Sequence, residues 1–161
     1  DNVYLVTSMM KDVIRRGTGR RARVLGRKDL AGKTGTTNEQ RDAWFSGFNR
    51  DVVTTAWVGF DTPKSLGRYE TGARAALPMW IEYMRAALQG RPEHSMEQPP
   101  GLVMARIDPE NGQFTTADNP HAMFEIFRAK NVPSKVPAQA STAEGKGKTG
   151  GDGGNLTEQL F

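Results

Sequence analysis

Cysteine is absent from this 161-residue chain, and histidine occurs only as His94 and His121. Disulfide frameworks, thiol catalysis and zinc sites therefore have too few ligands or nucleophiles to build on, so no metal is expected. Long apolar runs are missing as well. The longest, residues 75–81, has seven residues even counting Pro78, far short of the roughly 20 that a membrane-spanning helix needs. No apolar segment of the secretory-signal kind follows Asp1-Asn2, so any anchor is expected to lie in polypeptide outside these residues. What remains is an apolar fraction of 37%, enough for one soluble domain with a tail.

Acidic residues are missing from one stretch in particular. Residues 15–28 hold seven basic side chains and no acid, whereas the rest of the chain carries 15 Lys and Arg against 18 Asp and Glu. The basicity behind the net charge of +4 is thus local. Such a run can attract phosphates or nucleic acid, but it lacks the interleaved aromatics of a single-strand platform. It reads as a solvated loop, and nucleic acid is not expected as a partner.

Val3, Val6, Met9, Met10, Val13 and Ile14 fall on one stripe at helical spacing, predicting a helix over residues 3–16 that Gly17 ends in a left-handed conformation. The period then changes to that of strands over residues 30–37, 42–48 and 52–60. The last two are joined by Asn49-Arg50-Asp51 as an antiparallel hairpin, with the first beside them. Residues 62–71 read as loop. Leu77, Trp80, Ile81, Met84 and Leu88 repeat as a helix face, with Pro78 in the first turn and Gly90 at the end, expected to lie on the sheet. After a proline-rich link, residues 103–107 and 113–116 flank the turn Asp108-Pro109-Glu110-Asn111-Gly112 as a second, peripheral hairpin, and Phe124, Ile126 and Phe127 can pack one further element. From residue 134 the chain is poor in apolar side chains and is predicted to be disordered. The fold class is α+β, an antiparallel sheet packed by helices, with divisions at residues 1–90, 91–133 and 134–161.

The stretch with most chemical content is Gly32-Lys33-Thr34-Gly35-Thr36-Thr37-Asn38. A phosphate-binding loop would need glycine where Arg27 stands, which removes that reading. On an edge strand the same residues offer an ammonium, hydroxyls from Thr34 and Thr36, and a glycine that lets a ligand backbone approach. Unpaired strand amides could add an extended peptide. A peptide carboxylate and a developing oxyanion would both find donors there. Read alone, Lys-Thr-Gly is better explained as a structural strand with a surface lysine and threonines.

The run Asp29-Leu30-Ala31-Gly32-Lys33-Thr34-Gly35-Thr36-Thr37-Asn38, then Asp42-Ala43-Trp44-Phe45-x-Gly47, then Ala56-Trp57-Val58-Gly59-Phe60-Asp61, closely resembles the C-terminal part of the transpeptidase domain of class A penicillin-binding proteins of the Gram-negative 1A type. Val6-Thr7-Ser8-Met9-Met10-Lys11-Asp12-Val13-Ile14 with Gly17-Thr18-Gly19, and Ala76-Leu77-Pro78-Met79-Trp80, look like the family's flanking helices. The resemblance covers about residues 1–130. It implies the serine penicillin-recognising fold, with residues 1–90 as the end of the transpeptidase domain and residues 91–133 as a peripheral extension. It also implies that Lys33-Thr34-Gly35 is the third of three family motifs, after Ser-x-x-Lys and Ser-Asp-Asn.

By that resemblance Lys33 governs the electrostatics of the cleft. Lys33, Thr34, Gly35, Thr36 and Thr37 contact a stem peptide or β-lactam, and the Thr36 amide is one oxyanion-hole donor. The implied activity is cross-linking of peptidoglycan stem peptides through an acyl-enzyme that β-lactams also form, with no cofactor. The implied partners are an N-terminal portion of the same protein, stem peptides, β-lactams, cell-wall elongation proteins and a lipoprotein activator. The implied location is the periplasmic face of the bacterial inner membrane. A D,D-carboxypeptidase or β-lactamase of the same fold is the alternative within catalysis; a non-catalytic module binding peptide or polyanion is the alternative outside it.

Ser8-Met9-Met10-Lys11 matches Ser-x-x-Lys but lies only 25 residues before Lys33, with no Ser-x-Asn between. In the family the nucleophile lies far upstream, so Ser8 is rejected. The nucleophile is expected to be absent from this chain, which alone should be inactive. Lys148-Thr149-Gly150 repeats the motif letters in a low-complexity tail without a strand. His94 and His121 read as surface residues, and Asp108 and Glu110 as turn residues.

Overall fold

A computed structural model describes residues 1–133. The expected disordered tail and Lys148-Thr149-Gly150 lie outside the described residues. Helix α1 spans Asn2–Arg15, close to the predicted range, and its apolar stripe is covered only in part. Its buried residues are Thr7 and Ile14, while Val3, Val6 and Met9 are 77%, 53% and 65% exposed. The first half of the apolar stripe therefore faces outward, while Met10 and Val13 are half-buried and Ile14 at its end is buried. Gly17 also ends α1 for a reason other than the expected one. It is not left-handed; a Cβ there would lie 2.9 Å from Val13 Cα, so what it supplies is room.

The basic run is not an extended loop. Residues Arg20–Leu25 close into a 3-10 helix pinned by Ala22, which is fully buried, while Arg20, Arg21 and Arg23 stay in solvent. Gly26 ends it with a left-handed φ of 69°, a conformation glycine adopts without a Cβ penalty.

Strands β1 (Ala31–Thr36), β2 (Ala43–Phe48) and β3 (Val53–Val58) form an antiparallel sheet in the order β1-β2-β3, as the spacing predicts. Asn49 shapes the β2–β3 turn, its side-chain oxygen accepting from the Asp51 and Val52 amides at 3.0 and 2.9 Å. Alternation along β2 turns Ala43, Phe45 and Gly47 toward the helices. Helix α2 (Leu77–Ala87) follows a π-helical turn, Gly72–Ala76, and buries Leu77, Trp80, Ile81 and Met84 on that face.

Phe45 and Trp80 meet edge-on with ring centroids 4.9 Å apart, and the indole donates to the Thr54 carbonyl at 3.2 Å. A Cβ on Gly47 would fall 2.6 Å from the Trp80 ring, and one on Gly32 would fall 2.7 Å from Phe45. The two glycines are therefore what lets the rings approach the backbone.

The peripheral sheet corrects one strand pairing. Strand β4 (Leu102–Ile107) pairs with β5 (Met123–Arg128), whereas the predicted partner, residues 113–116, supplies a single bridge, Ile107 to Phe114. The expected turn does form, with Asp108 accepting from the Glu110 amide at 2.9 Å and Gly112 left-handed. Met123-Phe124-Glu125-Ile126-Phe127 carries more apolar and aromatic surface than Gln113-Phe114-Thr115-Thr116. Cross-strand packing therefore selects the later segment over the nearer one.

A buried ion pair ties the extension to the sheet. Arg27 grips Asp29 with two hydrogen bonds of 2.9 and 2.7 Å and also donates to the carbonyls of Arg91 and Pro92. Asp29 further accepts from Asn49 and from the His94 amide. Burial by itself would raise the Asp29 pKa; the bonds from Arg27 and Asn49, the Arg27 charge and the His94 amide outweigh it and hold it below the ordinary carboxylate value. Removing one partner of such a pair strands the other charge, so Asp29→Ala should cost about 3–5 kcal/mol in urea unfolding. Because the folded pKa is depressed, this stabilisation is complete above pH of about 4 and is lost as pH falls through the lower folded value. An Asp29→Asn variant whose stability falls with acid as steeply as the parent's would contradict that assignment.

Candidate functional site

Strand β1 lies at the edge of its sheet, and its register shows which of its groups face outward. The Thr37 amide donates to the Asp42 carbonyl at 3.1 Å, so Thr37 and Asp42 form a hydrogen-bonded pair. Antiparallel pairs alternate. Thr36 opposite Ala43 and Thr34 opposite Phe45 are therefore non-hydrogen-bonded pairs, and their amides and carbonyls point to the open edge. The Lys33 side chain bears this out by folding onto that edge, its ammonium 2.8 Å from the Thr34 carbonyl oxygen and 3.4 Å from Thr34 Oγ1. Along one rim of β1 there are thus an ammonium and an outward Thr36 N–H.

The hydroxyls are positioned by neighbours. Thr34 Oγ1 lies 3.0 Å from Thr18 Oγ1 in the loop after α1. Thr36 Oγ1 accepts from the Gly72 amide at 3.0 Å, which leaves its own proton free to donate. A Cβ on Gly72 would lie 2.2 Å from the Trp44 carbonyl oxygen and 2.5 Å from that of Gly35, so only glycine seats this loop against the strand. Gly35 itself is half-buried beside Trp44 Cβ.

Thr37 differs from the other hydroxyl residues because its Oγ1 is already engaged. It accepts from the Asp42 amide at 2.8 Å and donates to Asp42 Oδ2 at 3.3 Å. Asp42 also accepts from the Trp57 indole at 2.9 Å, and Trp57 meets Trp44 at 5.9 Å. Asp42 and Trp44 therefore support the strand end. No sequence signal assigned a role to Thr18 or Gly72. Thr18 sits in the quoted Gly17-Thr18-Gly19 run, and Gly72 carries only the general meaning of a glycine before a helix.

Ser8 and Lys11 stand one helical turn apart on α1, and no hydrogen bond joins their side chains. Among the described residues no cluster of His, Cys, Asp and Glu could hold a metal, and no helix is long and apolar enough to cross a membrane. His94 is half-buried, with its imidazole 3.8 Å from Asp51, and His121 is exposed.

This arrangement can hold an anionic group against Lys33 and Thr36 Oγ1 while an amide faces the place where negative charge develops; among the described residues no serine is hydrogen-bonded to Lys33. Gly72→Ala should push the β1 rim aside. An unfolding experiment should show a loss of about 1–3 kcal/mol, with amide shift changes centred on Gly35 and Thr36; shifts confined to residues 71–76 would speak against the contact.

No protein-family model matches the sequence. The chain is 56% identical over 133 residues to penicillin-binding protein 1A of Pseudomonas aeruginosa, covering 83% of this chain and 16% of that protein. It is 56% identical over 138 residues to the Neisseria lactamica protein of the same name, 83% and 17% respectively. The crystal structure of penicillin-binding protein 1A from Haemophilus influenzae superposes with a TM-score of 0.74 at 37% identity, covering 83% of this chain and 21% of that one. The chain thus spans about a sixth of the length of the curated relatives it matches, and the α+β architecture is that of the corresponding part of the solved structure.

Proposed function

From the premise that this chain belongs to the penicillin-binding protein 1A family, we propose that it supplies the Lys-Thr-Gly wall of a serine D,D-transpeptidase site completed by other polypeptide of the same protein. One observation carries the reading: the Lys33 ammonium folds onto the open rim of β1 beside an outward-facing Thr36 amide. Lys33, Thr34 and Thr36 take the carboxylate of a stem peptide or β-lactam, and Gly35 leaves room for its backbone. The Thr36 N–H stabilises the oxyanion. Thr37 holds the strand end through Asp42.

A serine from outside these 161 residues attacks the carbonyl carbon of the D-Ala-D-Ala bond and forms an ester. The terminal D-alanine leaves with the proton taken from the serine. An amine of a second stem peptide then attacks the ester, releasing the serine and forming the cross-link. The site would work at the periplasmic face of the inner membrane.

Two observations favour an incomplete site over a self-sufficient one. Among the described residues no serine hydrogen-bonds the Lys33 ammonium, whose contacts are to Thr34, and Ser46 opposite it pairs with Thr55, while α1 exposes Val3, Val6 and Met9 where a neighbouring surface would cover them.

Labelling with a fluorescent penicillin tests this. The 161-residue chain alone should take no label, and the complete protein should label outside this chain. Lys33→Ala in the complete protein should slow acylation by about 10²–10³-fold, the scale of losing a preorganised electrostatic donor, with Ser8→Ala close to parent. Covalent label on Ser8 would sink the proposal.

A further inference from the structure

The basic run that the transpeptidase reading leaves unused builds a cleft. Lys11 and Arg15 from α1, Arg23 from the 3-10 helix, and Gly26, Arg27 and Lys28 from the segment entering β1 surround a cavity of about 470 Å³ floored by Ile14 and Leu30. Five of the eight lining residues are cationic and none is acidic. The frame behind the cations is buried, with Ile14, Ala22 and Leu30 all at or below 3% exposure. The cations themselves are presented outward, with Arg15, Arg23 and Lys28 in solvent.

Neutralisation from within the chain is partial. Arg27 is consumed by Asp29. Asp12 lies 3.7 Å from Arg15 but is bound more closely by Arg16. Glu93 accepts from the Lys28 amide at 2.9 Å. Counting all three acids, the cleft still keeps an excess of positive charge, and the Lys11, Arg23 and Lys28 side chains make no hydrogen bond or ion pair. Holding like charges around one concavity costs repulsion that a bound anion relieves, and guanidinium groups match phosphate oxygens in geometry.

We infer that this cleft binds a phosphate-bearing anion, held by Lys11, Arg15, Arg23 and Lys28 over the apolar floor of Ile14 and Leu30. The phosphate can arrive free or as the headgroup of an anionic lipid. The inference is independent of the chemistry at Lys33.

Calorimetric titration of the 161-residue chain with inorganic pyrophosphate is the test, beside co-sedimentation with phosphatidylglycerol vesicles and phosphatidylcholine controls. Pyrophosphate should bind at low salt and weaken as ionic strength rises. The exposed pair Arg23→Glu with Lys28→Glu should weaken it by at least about tenfold, whereas Arg20→Glu with Arg21→Glu, the same charge change outside the cleft, should shift it by less than about threefold. Phosphatidylglycerol binding that pyrophosphate displaces would identify a lipid source, and pyrophosphate binding without vesicle binding a soluble one; both support the site. Equal losses in the two double variants, or no binding of either probe, would overturn it. So would pyrophosphate binding to this chain that disappears in the complete protein, which would give the cleft to an acidic segment of the remaining polypeptide.

Discussion

The register between β1 and β2 is the constraint on which the rest depends. A slip of one residue would exchange the two faces of β1 and turn the Thr36 amide inward. The lock sits at the strand end. Thr37 and Asp42 exchange hydrogen bonds through amide, carbonyl and side chains, and Trp57 ties Asp42 to β3. Within that turn Glu39 and Gln40 both have positive φ, 59° and 50°, which costs side-chain-bearing residues about 1–2 kcal/mol each. The Thr37–Asp42 bonds and the Leu66 amide on the Gln40 carbonyl hold the turn in that shape.

Behind the sheet, the same register sets the core. Phe45 can lie across Gly32 only because the two strands are in this alignment, and Trp80 can lie across Gly47 for the same reason. The rim that faces a ligand and the ring packing that anchors α2 are two sides of one alignment. Gly72 joins them, since the turn that opens toward α2 also touches Thr36.

Much of this was legible in the sequence. Period and turn chemistry located α1, the three strands, α2 and its buried face, because each is a local pattern repeated several times. The Lys-Thr-Gly strand was legible through its motif, although its outward amide was not, since parity is a property of two strands. Helical spacing showed that Val3, Val6 and Met9 share a stripe but not what covers it. Proximity suggested residues 113–116 as the partner of β4, and only side-chain packing across strands favoured β5. The Arg27–Asp29 anchor carries no periodic signature at all; two opposite charges two residues apart become a buried pair only when residues 91–94 close over them.

Strand β3 ends the sheet on its far side, and among the described residues nothing pairs with it there. Val53 on that strand is 78% exposed. A bare row of backbone donors and acceptors is a template for any extended polypeptide of matching length. That edge can accept an extended segment of another polypeptide, a second copy of this chain included, so self-association there would grow with the concentration at which the chain is handled.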